Sequence, residues 1–446
     1  MKEVDALIIG SSAAGFTAAI TARRHYPEAT LAVIRQEAKT PVPCGIPYVF
    51  GTLGSPEKNL MPDPVLAKHD VELIVDRVTE IDPEARMVST AGGQAIGYDK
   101  LILTTGSLPL VPPIPGVDLE NVFPINKDVA YQAHVLEVLE AARDVVVIGG
   151  GFIGLEMADE CRKLDGLNVS VVEMLPHCLS MVFDEDLCVR AEEELTKVGV
   201  RVRASHTAKA LRGNGKVAYV ELDSGERLKA DAVVLGIGVR PSAELAREAG
   251  LQIGPTGAIA VDRHMVTSDP NILAAGDCAE KICFFTGKPS RAWLASVASA
   301  EARVAGANLF EIRRANKGSI SVFSTKIGDL ACGLAGIGEK GAREAGIAHV
   351  IGQAESMDRH PGSLPGAKLT RVKLIFRKYS ETLIGGQACG GDSVGAEVNL
   401  LAAMIQAEMT ADEIATFQMG THPLLTASPV AYQVVNAAEL ALEKMR

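Results

Sequence analysis

The sequence lacks several features that would each have set its class. No apolar run reaches the roughly 18 residues that a membrane-spanning helix needs. None of its 8 cysteines forms a CxxC pair, so a thiolate zinc framework is excluded. Basic residues are not in excess. Lys and Arg number 44 against 55 Asp and Glu, for a net charge of −11, which argues against nucleic acid or an anionic membrane as partner. Low-complexity tracts are absent. The amino terminus carries no signal-peptide pattern, because Lys2, Glu3 and Asp5 flank a short run that ends in Gly10-Ser11. A cytoplasmic protein with reduced thiols is the expectation. What is present is ordinary for packed domains: 446 residues, 47% hydrophobic and 22% charged, enough for two to four domains.

Two stretches read as strand, glycine turn, helix. Val4 to Ile9 runs into Gly10-Ser11-Ser12-Ala13-Ala14-Gly15, with a helix from Phe16 to Arg24 and a second strand at Leu31 to Ile34. Asp144 to Ile148 runs into Gly149-Gly150-Gly151-Phe152-Ile153-Gly154, then a helix from Leu155 to Leu164 and a strand at Val169 to Val172. In such turns glycine lets the backbone approach a pyrophosphate, and the helix aims free N–H groups at the charge. The second turn matches G-x-G-x-x-G in full. Glu173 lies 19 positions past Gly154, where a carboxylate accepts hydrogen bonds from ribose hydroxyls and repels a 2′-phosphate. NADH is therefore expected over NADPH. In the first turn Ser12 replaces the middle glycine. Arg35 stands where the acid belongs, with Glu37 the nearest carboxylate, so both are candidates for the nucleotide ribose. Further strand-to-turn junctions end at Gly236-Ile237-Gly238 and Gly276-Asp277. Beyond residue 318 the β-type runs Ser319 to Phe323, Thr370 to Phe376 and Thr382 to Gln387, and a helical run from Ala396 to Ala407, suggest an α+β module with a mostly antiparallel sheet.

Cys44 follows the first unit in Pro43-Cys44-Gly45-Ile46-Pro47-Tyr48-Val49. Pro47 suits the first turn of a helix, and a thiol just before a helix start feels its positive end, which favours thiolate. Cys278 and Cys283 have the C-x4-C spacing of a dithiol pair. They follow Gly276-Asp277, however, whose expected role is to position a cofactor. Cys161, Cys178, Cys188, Cys332 and Cys389 read as structural thiols.

Five ordered features carry a resemblance: the Gly10–Gly15 turn, Cys44-Gly45-Ile46-Pro47-Tyr48, the Tyr98–Ser107 stretch ending Thr104-Thr105-Gly106-Ser107, the Gly149–Gly154 turn, and Ala274-Ala275-Gly276-Asp277. The chain resembles the pyridine nucleotide–disulfide oxidoreductase superfamily. Within it, the likeness is to the single-cysteine branch of coenzyme A disulfide reductases, NADH oxidases, NADH peroxidases and persulfide or polysulfide reductases. The resemblance implies an α/β fold with two Rossmann-like domains, for FAD (1–115 and 250–318) and NAD (116–249), and a C-terminal α+β dimerisation domain (319–446). It implies that the first turn, with Gly10, Ser12, Ala13, Ala14 and Gly15, holds FAD. Thr105 and Gly106 would pass near the FAD pyrophosphate and Asp277, beside Gly276, would meet its ribitol chain. Phe152 would cover the flavin's nicotinamide face, and Glu156 would approach the nicotinamide carboxamide. Gly149, Gly151, Ile153, Gly154, Glu173 and Gly238 complete the cofactor-binding set. Arg23 and Arg24 match a basic pair that contacts coenzyme A in the disulfide reductases, and the dimerisation domain implies a homodimer.

The same resemblance narrows the reaction. Peroxide and oxygen reduction in this branch uses a histidine in the first glycine turn. Ala13 stands there and cannot donate a proton, which disfavours peroxidase chemistry. Disulfide or persulfide reduction needs only a thiolate and a reduced flavin. Two tyrosine-bearing motifs of the coenzyme A reductases are replaced by Ser363-Leu364-Pro365-Gly366 and Thr421-His422-Pro423-Leu424, so the substrate is open among a disulfide, coenzyme A disulfide or persulfide, and polysulfide. His422 resembles the acid–base histidine of the dithiol reductases. The expected activity is reduction of such a substrate through Cys44, with His422 as proton donor. The alternatives are an NADH oxidase, or a reductase of a small redox protein.

Overall fold

The computed structural model describes residues 2–446, and the chain divides into two compact units. The first gathers the chain up to Pro112, Pro124–Ala141 and Gly238–Ser319. Its seven-stranded sheet runs in the order Val71–Val75, Leu31–Arg35, Lys2–Ile9, Ala95–Leu103, Met87–Thr90, Val78–Asp82, with Ile272–Ala274 added against Ala95–Leu103. The pairs among Val71–Val75, Leu31–Arg35, Lys2–Ile9, Ala95–Leu103 and Ile272–Ala274 are parallel. The centre of this sheet, Leu31 to Ile34 with the ends Ala6 to Ile9 and Leu101 to Leu103, reads as apolar runs because it is covered on both faces, while Val71–Val75 carries exposed Glu72 and Val75. All of Leu31–Arg35 is buried, as a parallel sheet between helices requires. Helix Ala13–His25 packs on helix Ala295–Ala307, and both present alanines (Ala18, Ala22, Ala302, Ala305) that are fully buried. Small side chains bring the two helix axes close.

The second unit gathers Pro113–Phe123, Ala142–Ile237 and Ile320–Arg446. It holds a five-stranded sheet whose first four strands, Val200–Arg203, Asn168–Val172, Asp144–Ile148 and Ala232–Leu235, are parallel. It also holds a three-stranded antiparallel sheet of Ala208–Asn214, Lys216–Leu222 and Arg227–Lys229. Its third sheet is antiparallel throughout, in the order Val322–Ile327, Leu330–Gly336, Leu383–Gly390, Leu369–Arg377, His349–Met357. Helices Val394–Gln406 and Gln433–Met445 pack on this sheet. The segment 116–249, expected to form one nucleotide domain, is shared out: Pro124–Ala141 and the stretch from Gly238 fall in the first unit.

Inside the second unit, polar ties join the Asp144–Leu235 region to the C-terminal sheet. Asp184 precedes helix Glu185–Lys197. Its carboxylate accepts from Lys373 Nζ at 2.9 Å and Gln387 Nε2 at 2.8 Å. Gly328 N–H donates to Asp159 at 3.2 Å. No helix among the described residues is long and apolar enough to cross a membrane.

Candidate active site

In the first unit, strand Lys2–Ile9 delivers Gly10 with a positive φ of 105°. A Cβ on Gly10 would stand 2.3 Å from the Thr104 carbonyl oxygen, and one on Gly15 would stand 1.9 Å from the Gly10 oxygen. Only glycine lets helix Ala13–His25 sit this close to the strand end. Ser12 occupies the N-cap in extended conformation, yet its side chain makes no capping bond. The first N–H groups of a helix have no partner within it, so this end is suited to a pyrophosphate. The Thr104–Ser107 stretch lies alongside. Thr104 Oγ1 donates to Ile9 O at 2.8 Å, Thr105 Oγ1 to Ser242 O at 2.6 Å, and Ser107 Oγ to Asp277 at 2.8 Å. Gly106 and Gly238 both take positive φ, 70° and 104°. Leu110 N–H donates to Gly238 O at 3.0 Å.

Beneath Gly276 lies a feature that sequence reasoning missed. Lys281 is fully buried and pairs with Glu301 at 2.6 Å, which in turn accepts the Gly276 N–H at 3.1 Å. Burial pushes the Glu301 carboxyl up, and Lys281 and Gly276 pull it back. Its Oε1 is buried without a hydrogen-bond partner. The legible signal was a lone acid in the alanine-rich helix Ala295–Ala307.

Cys44 is exposed. It sits in a 3₁₀ turn, Pro43–Gly45, followed by a second, Pro47–Val49. The expected helix at Pro47 is therefore corrected to a single 3₁₀ turn. Three residues align too few peptide dipoles to act as a helix end. The loop is held instead by Asn59, another residue that sequence reasoning missed. Asn59 is buried. Its side chain donates to Val42 O at 3.0 Å and its carbonyl accepts from Val42 N at 2.9 Å. Gly45 is obligatory there, since a Cβ would stand 2.0 Å from Asn59 Oδ1.

The two ribose candidates separate. Arg35 is buried and clamps Asp63 with two bonds of 2.7 and 2.6 Å, while also donating to Glu37 O, Ala38 O and Ser11 Oγ. Glu37 is half-buried, and its Oε1 accepts from Gln36 at 2.8 Å. Arg23 is likewise committed within its own unit. Its guanidinium donates to the carbonyls of His69, Pro27, Ala29 and Asp70 at 2.6–2.9 Å. Arg24 is exposed. The Cys278 thiol is buried and lies 3.4 Å from the carbonyls of Leu103 and Ala275.

In the second unit, Gly149 takes φ 110°, and a Cβ there would lie 2.5 Å from Gly236 O. Gly151 faces open space and is the N-cap of helix Phe152–Arg162, which also lacks a side-chain cap. Glu173 is buried, and each of its oxygens accepts one backbone N–H, from Gly150 at 2.6 Å and Leu175 at 2.7 Å. A carboxylate has roughly four acceptor sites, so capacity remains. Phe152 stacks on Phe323 at 5.1 Å and meets Phe183 edge-on, and Ile153 beside it is exposed. Burial pushes Glu156 up to about 7, against the bond that Thr325 Oγ1 donates to it at 2.9 Å. Burial also pushes the Cys161 and Cys188 thiols up to about 12. His422 is exposed in a turn. Its N–H donates to Thr426 Oγ1 at 3.0 Å and its Nδ1 accepts from Leu424 N at 3.3 Å.

The model of the family described as pyridine nucleotide-disulphide oxidoreductase matches residues 4–302, and that of its dimerisation domain matches residues 322–431. The chain belongs to the pyridine nucleotide-disulphide oxidoreductase family. It is 35% identical to an NADH oxidase of Methanocaldococcus jannaschii, over 99% of both chains. It is 33% identical to an NAD(P)H coenzyme A polysulfide/persulfide reductase of Pyrococcus horikoshii, over 91% of both. Among solved structures it resembles an NAD-dependent persulfide reductase from A. fulgidus, with a TM-score of 0.91 and 32% identity, covering 98% of this chain and 83% of that one. The chain is an enzyme of this family, an NAD(P)H oxidoreductase of the coenzyme A disulfide reductase and NADH oxidase branch, and FAD and NAD(H) are the cofactors that go with it. The residues present fit both groups: two uncapped helix starts, each behind a glycine turn that a Cβ would fill.

Proposed function

We propose that this family member reduces a persulfide, polysulfide or other disulfide through Cys44, with NADH as the source of electrons. One observation carries the reading. Cys44 is exposed on a short turn anchored by a buried asparagine, in the same unit as the uncapped first glycine turn. Bound FAD would supply the two-electron step that returns Cys44 from a mixed disulfide to thiolate. Gly10, Ser12, Ala13, Ala14 and Gly15 would hold its pyrophosphate, and Thr105 and Gly106 would flank it. Asp277 would offer its second oxygen to the ribitol hydroxyls. Glu37 takes the ribose role in preference to Arg35, whose guanidinium is spent on Asp63. Gly149, Gly151, Ile153 and Gly154 would hold NADH, with Glu173 on its ribose, where its charge repels a 2′-phosphate.

The chain's own chemistry is nucleophilic. Cys44 thiolate attacks one sulfur of the substrate, a mixed disulfide forms on Cys44, and the other sulfur leaves as thiolate or hydrosulfide. His422 is the proposed proton donor to that leaving sulfur, acting in a cytoplasmic homodimer. Of the basic pair, Arg24 is the one with a guanidinium available to a coenzyme A nucleotide, because Arg23 is occupied by four carbonyls.

Direct oxygen reduction is the second reading, favoured by the 35% identity to a protein named NADH oxidase. Anaerobic NADH oxidation, screened against polysulfide, coenzyme A disulfide, coenzyme A persulfide, oxygen and peroxide, separates the two. Fast anaerobic turnover with a sulfur acceptor, lost in Cys44→Ser, supports the proposal. Turnover with oxygen alone, unchanged in that variant, overturns it.

A further inference from the structure

One row of side chains crosses the C-terminal sheet on a single face. Thr325, Cys332, Cys389, Arg371 and Glu355 stand directly opposite one another on five successive strands. The two cysteines are buried, and their sulfurs lie 3.3 Å apart. Arg371 flanks Cys389 on the next strand. Arg190, from helix Glu185–Lys197, approaches the same face and bonds Glu355 at 3.3 Å. Arg190 Nη1 and Arg371 Nε are buried without a hydrogen-bond partner. Both guanidinium groups are also ion-paired, Arg371 with Glu355 and Asp186 at 3.5 Å and Arg190 with Glu355 at 3.3 Å. The cations beside the two thiols are therefore partly neutralised, yet still favour a sulfur anion over a bound metal cation. The bond from Cys332 lowers Cys389 most, burial opposes it, and Arg190 and Arg371 lower it further; Cys332 is pushed up.

We propose that Cys332 and Cys389 are a second redox site, a buried dithiol that hydrogen peroxide closes to a cross-strand disulfide. Directly opposed residues of antiparallel strands have Cα atoms about 4.5–5.5 Å apart, within the span a disulfide tolerates. Cys389 is the nucleophile and Cys332 the resolving thiol. Cys389 thiolate attacks one peroxide oxygen, and the O–O bond breaks. A sulfenic acid forms and hydroxide leaves, to be protonated by solvent. Cys332 sulfur then attacks the sulfenic sulfur. The S–O bond breaks, and the departing hydroxide takes the Cys332 proton and leaves as water. The two sulfurs lose two electrons, which reduce peroxide to two waters. A bulky disulfide would not reach sulfurs this deep, which is why a small oxidant is the reagent.

The test uses the intact flavoprotein without NADH. After brief peroxide treatment the protein is quenched with catalase, unfolded in iodoacetamide and digested without reduction. Mass spectrometry is expected to find one peptide pair linked through Cys332 and Cys389, in wild type and equally in Cys44→Ser. In Cys332→Ala, peroxide treatment followed by unfolding into dimedone should tag Cys389 at least tenfold more than it tags Cys332 in Cys389→Ala. Both thiols alkylated in peroxide-treated wild type, or Cys389 sulfinic beside a free Cys332, would overturn the site. Equal dimedone labelling would overturn the assignment of the nucleophile. The wild-type measurement needs no variant to fold, and none of these readouts depends on turnover.

Discussion

Glu156 is a carboxyl that its surroundings hold half neutral near pH 7, and this makes a quantitative prediction. Burial pushes it from 4.5 to about 7, with the Thr325 hydroxyl pulling the other way. Below pH 4.5 the group is protonated folded and unfolded alike, and costs nothing. Between 4.5 and 7 the unfolded chain releases the proton while the folded chain keeps it, so stability falls as pH rises. Above 7 the loss is complete. A shift of this size corresponds to about 3 kcal/mol, at 1.36 kcal/mol per pKa unit. Glu156→Gln is neutral at every pH and can still accept from Thr325. It should match wild type near pH 4.5 and gain steadily, reaching about 3 kcal/mol by pH 8. For a chain of this length unfolding as one unit, that is roughly 3–4 °C in midpoint. The assay is thermal unfolding of both flavoproteins from pH 4.5 to 8 without NADH. Glu397 is also raised to about 7 by burial, but it is common to both proteins and cancels in the difference. A constant gap between variant and wild type across that range, or a variant weaker at pH 8, would refute the reasoning.

Three further outcomes follow from the site. Cys44→Ser should lower disulfide or polysulfide reduction by at least roughly a thousandfold, as loss of a nucleophile does. It should leave the flavin absorbance spectrum and FAD content intact, and purification without flavin would count against a purely chemical role. Lys281→Met leaves Glu301 buried and unpaired, which should cost about 3–5 kcal/mol and show as earlier FAD release on heating. Normal flavin retention would mean that the pair does not support Gly276. Glu173→Ala removes the charge that the proposed function sets against a 2′-phosphate and should raise the NADPH-to-NADH ratio of kcat/KM at least about tenfold, near 1.4 kcal/mol. An unchanged ratio would place Glu173 in the turn alone.

What the sequence determined by itself is local. The strands Lys2–Ile9 and Asp144–Ile148 and the turns behind them are legible because a helix packed on a strand end tolerates only glycine at Gly10, Gly15, Gly149 and Gly154. In the C-terminal sheet, strands Leu369–Arg377 and Leu383–Gly390 are legible in their β-type runs, and helix Val394–Gln406 in its apolar run. The run Ser319 to Phe323 only overlaps strand Val322–Ile327, and Leu330–Gly336 and His349–Met357 are not foreseen. The tertiary structure decided what depends on residues distant in the chain. Proline and glycine around Cys44 suggest a helix start; the actual turn follows from Asn59, 15 positions further along. Spacing cannot tell whether Arg35 meets a nucleotide or Asp63, nor whether Arg23 meets a ligand or the loops at Pro27 and His69. The spacing that sequence offers for a thiol pair is that of Cys278 and Cys283, which the neighbouring Gly276-Asp277 already argued against. The sulfurs that do meet, Cys332 and Cys389, are 57 positions apart and are brought together by strand register. Backbone conformation is set by neighbours along the chain, whereas ion pairs and thiol pairs are set by which strands and loops end up side by side.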